Sequence, residues 1–91
     1  MLIEFAPGVG SAQIGEITDK VGELTARVPS VVSAVCGRDA GVTAGSSDFA
    51  IVVDLADPAD YRAYSTHPAH DELVAVLGPC VRSRSVVDFI V

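Results

Sequence analysis

An α+β fold is predicted by three features of this 91-residue chain. Short runs of Val, Ile and Leu bounded by Gly or Pro recur along it, as strands do. One long stripe of apolar residues repeats at steps of three and four, and a second helical stretch is interrupted by a proline. In chain order these give β-α-β-β-α-β.

The first run, Leu2 to Phe5, is closed by Pro7 and Gly8 and predicts a strand. Ser11 is placed to cap the helix that follows. In that helix Ile14, Ile17, Val21, Leu24 and Val28 form one face, with Glu16, Asp19, Lys20, Glu23 and Arg27 between them, and Pro29 ends it. Gly15 and Gly22 each weaken it by about 1 kcal/mol relative to alanine, which the regular stripe outweighs. The β-branched run 30–37 predicts the second strand, and 38–48, rich in Gly, Ser and Asp, a long connection. Residues 49–56, "FAIVVDLA", are the clearest strand pattern in the chain.

Asp57 at an N-cap and Pro58 at the first helical position open the second helical region. Pro68 disfavours helical dihedrals at His67, so the helix should break there and restart. It ends at Gly78-Pro79, and residues 81–91 are expected to form a last strand reaching the C-terminus. This layout is that of a ferredoxin-like sandwich, four strands with the helices on one face, in a single domain covering 1–91.

The third strand carries Phe49, Ile51, Val53 and Leu55 on one side but also Ala50 and Val52 on the other. The last strand is expected to repeat this, with Val87, Phe89 and Val91 opposite Val86 and Ile90. The helices suffice for one face only, and an open apolar sheet is rarely tolerated in a monomer. A second copy packed sheet to sheet, about 10 Å away, solves this and curls the two sheets into a shared barrel.

Composition narrows the partners. With 49% hydrophobic but only 5% aromatic residues, the core has to be built from Val, Ile, Leu and Ala. A net charge of -6 excludes the basic footprint of a nucleic-acid binder and disfavours anionic membrane surfaces. No signal peptide is visible in "MLIEFAPGVG" and no apolar run has bilayer length, so a cytoplasmic protein is expected. Cys36, Cys80, His67 and His70 make four potential ligands, but without the paired spacing of a zinc site, and no metal is expected. Nor does "GVTAGSSD" hold the lysine of a phosphate loop.

The chemistry-bearing residues gather in "YSTHPAH", 64–70, which holds both histidines and one of the two tyrosines. His70 heads the series His70, Leu73, Val74, Leu77, whose spacing is that of one apolar helix face. Most histidines so placed are core residues that find a backbone partner, and most tyrosines at helix ends pack the ring and wet the hydroxyl. The functional alternative is specific. A histidine against apolar walls can serve as general base near neutrality, and a tyrosine hydroxyl beside it can orient a carbonyl. That pair suits proton abstraction next to a carbonyl and needs no cofactor. Arg82 and Arg84 share one face of the last strand and could meet a substrate carboxylate, but arginines so placed are more often solvated. Asp88, interrupting an apolar stretch, needs a hydrogen-bond partner if buried.

The second half of the chain, with "Y-x-x-H-P-x-H", a proline before the last strand and a terminal "V-D-F", resembles the stress-responsive α/β-barrel family, often called Dabb. The first half fits that layout more weakly. The resemblance implies a ferredoxin-like fold forming a homodimeric α+β barrel. One branch, which includes the plant olivetolic acid cyclase, uses this motif for aldol ring closure of a polyketide, implying that Tyr64 orients the substrate and His70 is the acid/base. Another branch consists of stress-associated proteins whose barrel is structural. Family members commonly carry a histidine shortly before the first strand; aligning "LIEF" with that strand places it ahead of Met1. The expected site is therefore an apolar pocket between helices and sheet, with Tyr64 and His70 at its mouth and His67 nearby. Phe49, Ile51 and Val53 would line it, for a small, apolar, carbonyl-bearing ligand.

Overall fold

The computed structural model describes residues 1–91 and contains one antiparallel sheet of four strands covered on one face by helices. The elements are β1 (Leu2–Phe5), α1 (Ser11–Arg27), β2 (Val31–Arg38), β3 (Phe49–Leu55), α2 (Tyr61–Ser65), α3 (Pro68–Leu77) and β4 (Val81–Ser85). Single 3₁₀ turns precede α2 and follow α3. The strand order β2-β3-β1-β4 puts the shortest strand, β1, in the middle, as the ferredoxin-like layout requires. No helix is long and apolar enough to cross a membrane.

The α1 stripe does what its spacing predicts. Ile14, Ile17, Val21 and Leu24 are all buried, and Val28 closes the row as the chain leaves the helix. They meet Ile3, Val31, Phe49 and Ile51 of the sheet and Ala69, Leu73 and Leu77 of α3 in one core. Full burial of each large aliphatic side chain contributes roughly 1.5–3 kcal/mol, so this face holds the fold together. The N-cap of α1 is Gly10 rather than Ser11, which is the first helical residue. Glycine has no side chain to offer, and the Gln13 side chain instead accepts the Gly10 N–H at 2.7 Å.

Residues on the other side of the sheet are left open. The register pairs Leu2 with Ala50 and Val35 with Val52. Leu2, Val35 and Val52 are all more than half exposed. Polar pairs rim this stripe: Ser33 donates to Asp54 at 2.7 Å, and Ser83 and Arg82 both donate to Glu4, at 2.8 and 3.1 Å.

Two sequence expectations are corrected here. The last strand ends at Ser85, not Val91. Its partner is β1, in which Leu2 pairs with Ser85, so beyond Ser85 β1 has almost no residue left to pair with. Val86–Val91 consequently lies outside the sheet, with every residue exposed. Nor do Arg82 and Arg84 sit as a regular one-face pair: the register passes from Glu4–Ser83 to Phe5–Val81, leaving Arg82 as the extra residue of a bulge, and its guanidinium ion-pairs with Glu4.

Helices α1 and α3 are clamped at their surface. Arg27 donates twice to Glu72, both at 2.8 Å, and Lys20 donates to the same carboxylate at 3.1 Å. These hydrogen bonds, Arg27 first, lower the Glu72 carboxyl to about 2. A carboxyl depressed on folding stabilises above its unfolded value, near 4.5, and that contribution fades as pH falls through about 2. Glu72→Gln should therefore lower the melting temperature by a constant amount from neutrality down to about pH 5. The difference from wild type should shrink below that and disappear under about pH 2 in thermal melts followed by circular dichroism.

Candidate functional site

The break at His67-Pro68 builds the site. Asp57 accepts from Ala59 N–H at 2.8 Å and starts the turn leading into α2, which ends at Ser65. His67 then leaves helical dihedrals, and its Nδ1 accepts the Ala69 N–H at 3.0 Å. Proline at the first position of α3 costs nothing, because its missing N–H would have had no helical partner. His67 is thus the N-cap of α3. Its ring is held in the tautomer with the proton on Nε2, since Nδ1 is an acceptor.

The restart brings Tyr64 and His70 together. Their rings meet edge to face with centroids 4.9 Å apart, and Tyr61 approaches Tyr64 in turn at 6.2 Å. Tyr64 packs on the core, and burial is the main cause that pushes its hydroxyl above the ordinary value of 10.0. The Tyr61 and Asp88 charges add to this in the same direction. The hydroxyl therefore stays protonated, and remains a donor, throughout the neutral range. His70 Nδ1 is buried and has no hydrogen-bond partner. Leaving such a nitrogen unpaired costs free energy that core histidines normally avoid.

The buried face of α3 runs through Ala69, Leu73 and Leu77, with His70 at its edge. Val74, expected on that face, is half exposed. At 100° per residue it lies a further step round the helix than His70, beyond the reach of the core. Phe49 and Ile51 sit in the closed core under the helices, and Val53 packs against it partly buried. Two clefts open elsewhere. One of about 440 Å³ lies between Phe5, Val9 and Ile14 on one side and Arg38 and Asp48 on the other; another of about 280 Å³ lies beside Glu4, Ser83 and Arg84. Neither is lined by Tyr64, His67 or His70. Cys36 and Cys80 are free thiols, and no cluster of His, Cys, Asp or Glu is arranged to hold a metal ion.

Sequence reasoning brought Tyr64, His67 and His70 into one neighbourhood but missed that His67 is occupied as a cap. The signal was present: an acceptor side chain directly before a helix-opening proline is an N-cap pattern. It also missed that Asp88, twenty-four residues on from Tyr64, lies close enough to bear on the tyrosine hydroxyl. No periodicity reports that proximity.

A four-stranded ferredoxin-like sheet with two dissimilar faces and a Tyr–His pair at a helix break describes a class of small α+β barrel domains. Comparison of the sequence with family models matches the stress-responsive A/B barrel domain, Dabb, over residues 1–91, and the chain belongs to that family. Among solved structures, it is similar to a dimeric ferredoxin-like protein of unknown function from Thermobifida fusca. The two are 31% identical over 99% of this chain and 85% of that one, with a TM-score of 0.90. A dimeric ferredoxin-like protein of unknown function from Bacteroides fragilis shares the fold at 18% identity, with 97% and 88% of the chains covered and a TM-score of 0.82. So does a protein of Arabidopsis thaliana, at 17% identity, 97% and 94% coverage and a TM-score of 0.71. No curated protein matches significantly.

Two measurements test this site. His67→Ala should destabilise the chain by about 1 kcal/mol while His67→Asn, which can cap, stays near wild type, read by urea unfolding. Tyr64→Leu, which removes the ring lying against His70, should shift the His70 Cε1 proton in NMR spectra and leave the His67 signal in place.

Proposed function

We propose that the protein is a homodimeric, small-molecule-binding α+β barrel and that Tyr64 and His70 carry proton transfer next to a carbonyl. The observation that carries this reading is the pair itself: a tyrosine hydroxyl kept protonated by burial, in ring contact with a histidine whose Nδ1 has no partner. The dimer is supported by the open apolar face of the sheet and by the dimeric state of the Thermobifida and Bacteroides proteins.

In this reading the Tyr64 hydroxyl donates to a substrate carbonyl oxygen, and the His70 imidazole takes a proton from the adjacent carbon. The resulting enolate attacks a second carbonyl of the same molecule, forming a carbon–carbon bond. His70 returns the proton to the new alkoxide. No electrons leave the substrate, and atoms balance without a cofactor. The ligand class is a small, apolar polyketide-like molecule. His67, tied to Ala69, contributes by fixing where α3 begins rather than by binding, and the core positions of Phe49 and Ile51 leave them as the floor behind the site.

The second reading is a stress-responsive protein whose barrel is structural. It is favoured by the placement of both described clefts away from Tyr64 and His70. The two separate on one experiment. With a poly-β-keto ester as probe, ring closure should be lost in Tyr64→Phe and in His70→Ala while sedimentation shows each variant still dimeric. Absence of turnover in wild type, together with an assembly whose heat tolerance ignores Tyr64→Phe, would establish the structural reading instead.

A further inference from the structure

The larger of the two clefts has no part in the site described above. About 440 Å³ in volume, it is lined by residues from the start of α1 and the ends of β1 and β2, and not by Tyr64, His67 or His70. That volume falls within the roughly 300–1,000 Å³ of small-molecule pockets. In the sheet, Arg38 lies directly opposite Phe49, which is buried under the helices. Cross-strand partners share a face, so Arg38 is on the helix side, away from the open apolar face.

The lining is of two kinds. Phe5, Val9 and Ile14 give the cleft an apolar floor, which Phe5 anchors by its ring contact with Phe49, centroids 5.5 Å apart. Arg38, Asp39 and Asp48 give it a charged rim. Both carboxylates stand on backbone that hydrogen bonds fix. Asp48 donates its N–H to the Ile3 carbonyl and its own carbonyl accepts the Asp39 N–H, both at 2.9 Å. Its Oδ2 also accepts the Phe5 N–H at 2.9 Å. Asp39 Oδ2 accepts the Gly41 N–H at 3.0 Å, at a turn where Gly41 adopts a φ of 75°. Arg38, by contrast, enters none of the chain's ion pairs, so its guanidinium stays beyond 4.0 Å of both carboxylates.

Opposite charges that line one cleft without touching select its occupant. An anion meets two carboxylates there, and a cation meets the guanidinium. A neutral apolar molecule strips water from all three charges and gives nothing back. A zwitterion avoids each of these costs. We infer that this cleft binds a small α-amino acid with an apolar side chain. Arg38 takes its carboxylate, which a guanidinium fork is shaped to do. The carboxylates of Asp48 and Asp39 take its ammonium, and its side chain lies on Phe5, Val9 and Ile14. No bond is made or broken, so the site is one of recognition and is separate from the Tyr64–His70 pair.

The test is a titration of the full chain with L-leucine, followed through backbone amide NMR signals. The expected result is saturable shifts of the Phe5, Val9 and Arg38 amides with a Kd below about 1 mM, while the Tyr64 and His70 amides stay in place. Three analogues each remove one contact and leave the protein untouched: leucinamide lacks the carboxylate, isocaproate the ammonium and glycine the side chain. Each should bind at least about tenfold more weakly, and leucine should lose as much in Arg38→Gln and in Asp48→Asn. Asparagine keeps an oxygen for the Phe5 N–H, so the second variant removes the charge and not the hydrogen bond. Leucine that moves none of these amides at about 10 mM overturns the inference. So do analogues that bind as tightly as leucine, and so does leucine binding that survives Arg38→Gln unchanged. Should a variant fail to fold, the analogue series on wild type still decides. Turnover is not read in any arm, so a failure here leaves the proton-transfer proposal standing.

Discussion

The position and length of β1 govern the rest of the molecule. Four residues, Leu2–Phe5, lie between β3 and β4 and pair with both, so the strands that flank them are placed by them. Ile3, fully buried, is where α1, α3 and the sheet converge in the core. Pairing with β3 begins at Met1 and Ile51, and pairing with β4 begins at Leu2 and Ser85. A strand can persist only while a neighbour satisfies its backbone, so the same register that builds the sheet also decides where β4 must stop. The apolar tail is released by that limit and not by its own residues.

On the helical side, one proline has a comparable reach. Without a break at His67, α2 and α3 would continue as a single helix, and residues 64 and 70, six apart, would point about 120° away from each other around it. The break reorients α3 and lets the two rings meet at 4.9 Å. It also consumes His67, whose ring caps the helix it introduces. The motif therefore treats its two histidines differently: one caps the helix and holds the geometry, and the other keeps a buried nitrogen unpaired.

Electrostatics plays a supporting part. The Lys20, Arg27 and Glu72 cluster is accessible to solvent, and exposed ion pairs contribute little individually. Its value lies in joining α1 to α3 at a fixed offset, on a surface where the apolar stripes have already set the packing.

The amino-acid sequence by itself determined the elements whose cause is local. The α1 stripe from Ile14 to Leu24, the alternation of Phe49, Ile51 and Val53, and the stop at Pro68 each express a preference acting over a few residues. They place the elements to within a residue or two, with β4 the exception. It also brought Tyr64, His67 and His70 into one neighbourhood, because the helix break is local too. What tertiary structure alone decided depends on partners distant in the chain. Val86–Val91 reads as a strand by propensity but has no neighbour in the subunit. Val74 fits the helical period but lies past the edge of the core. Phe49 and Ile51 are packed floor because α1 and α3 close over them. Whether an apolar residue lines a core, a site or an interface is set by what arrives opposite it, and periodicity carries no information about that.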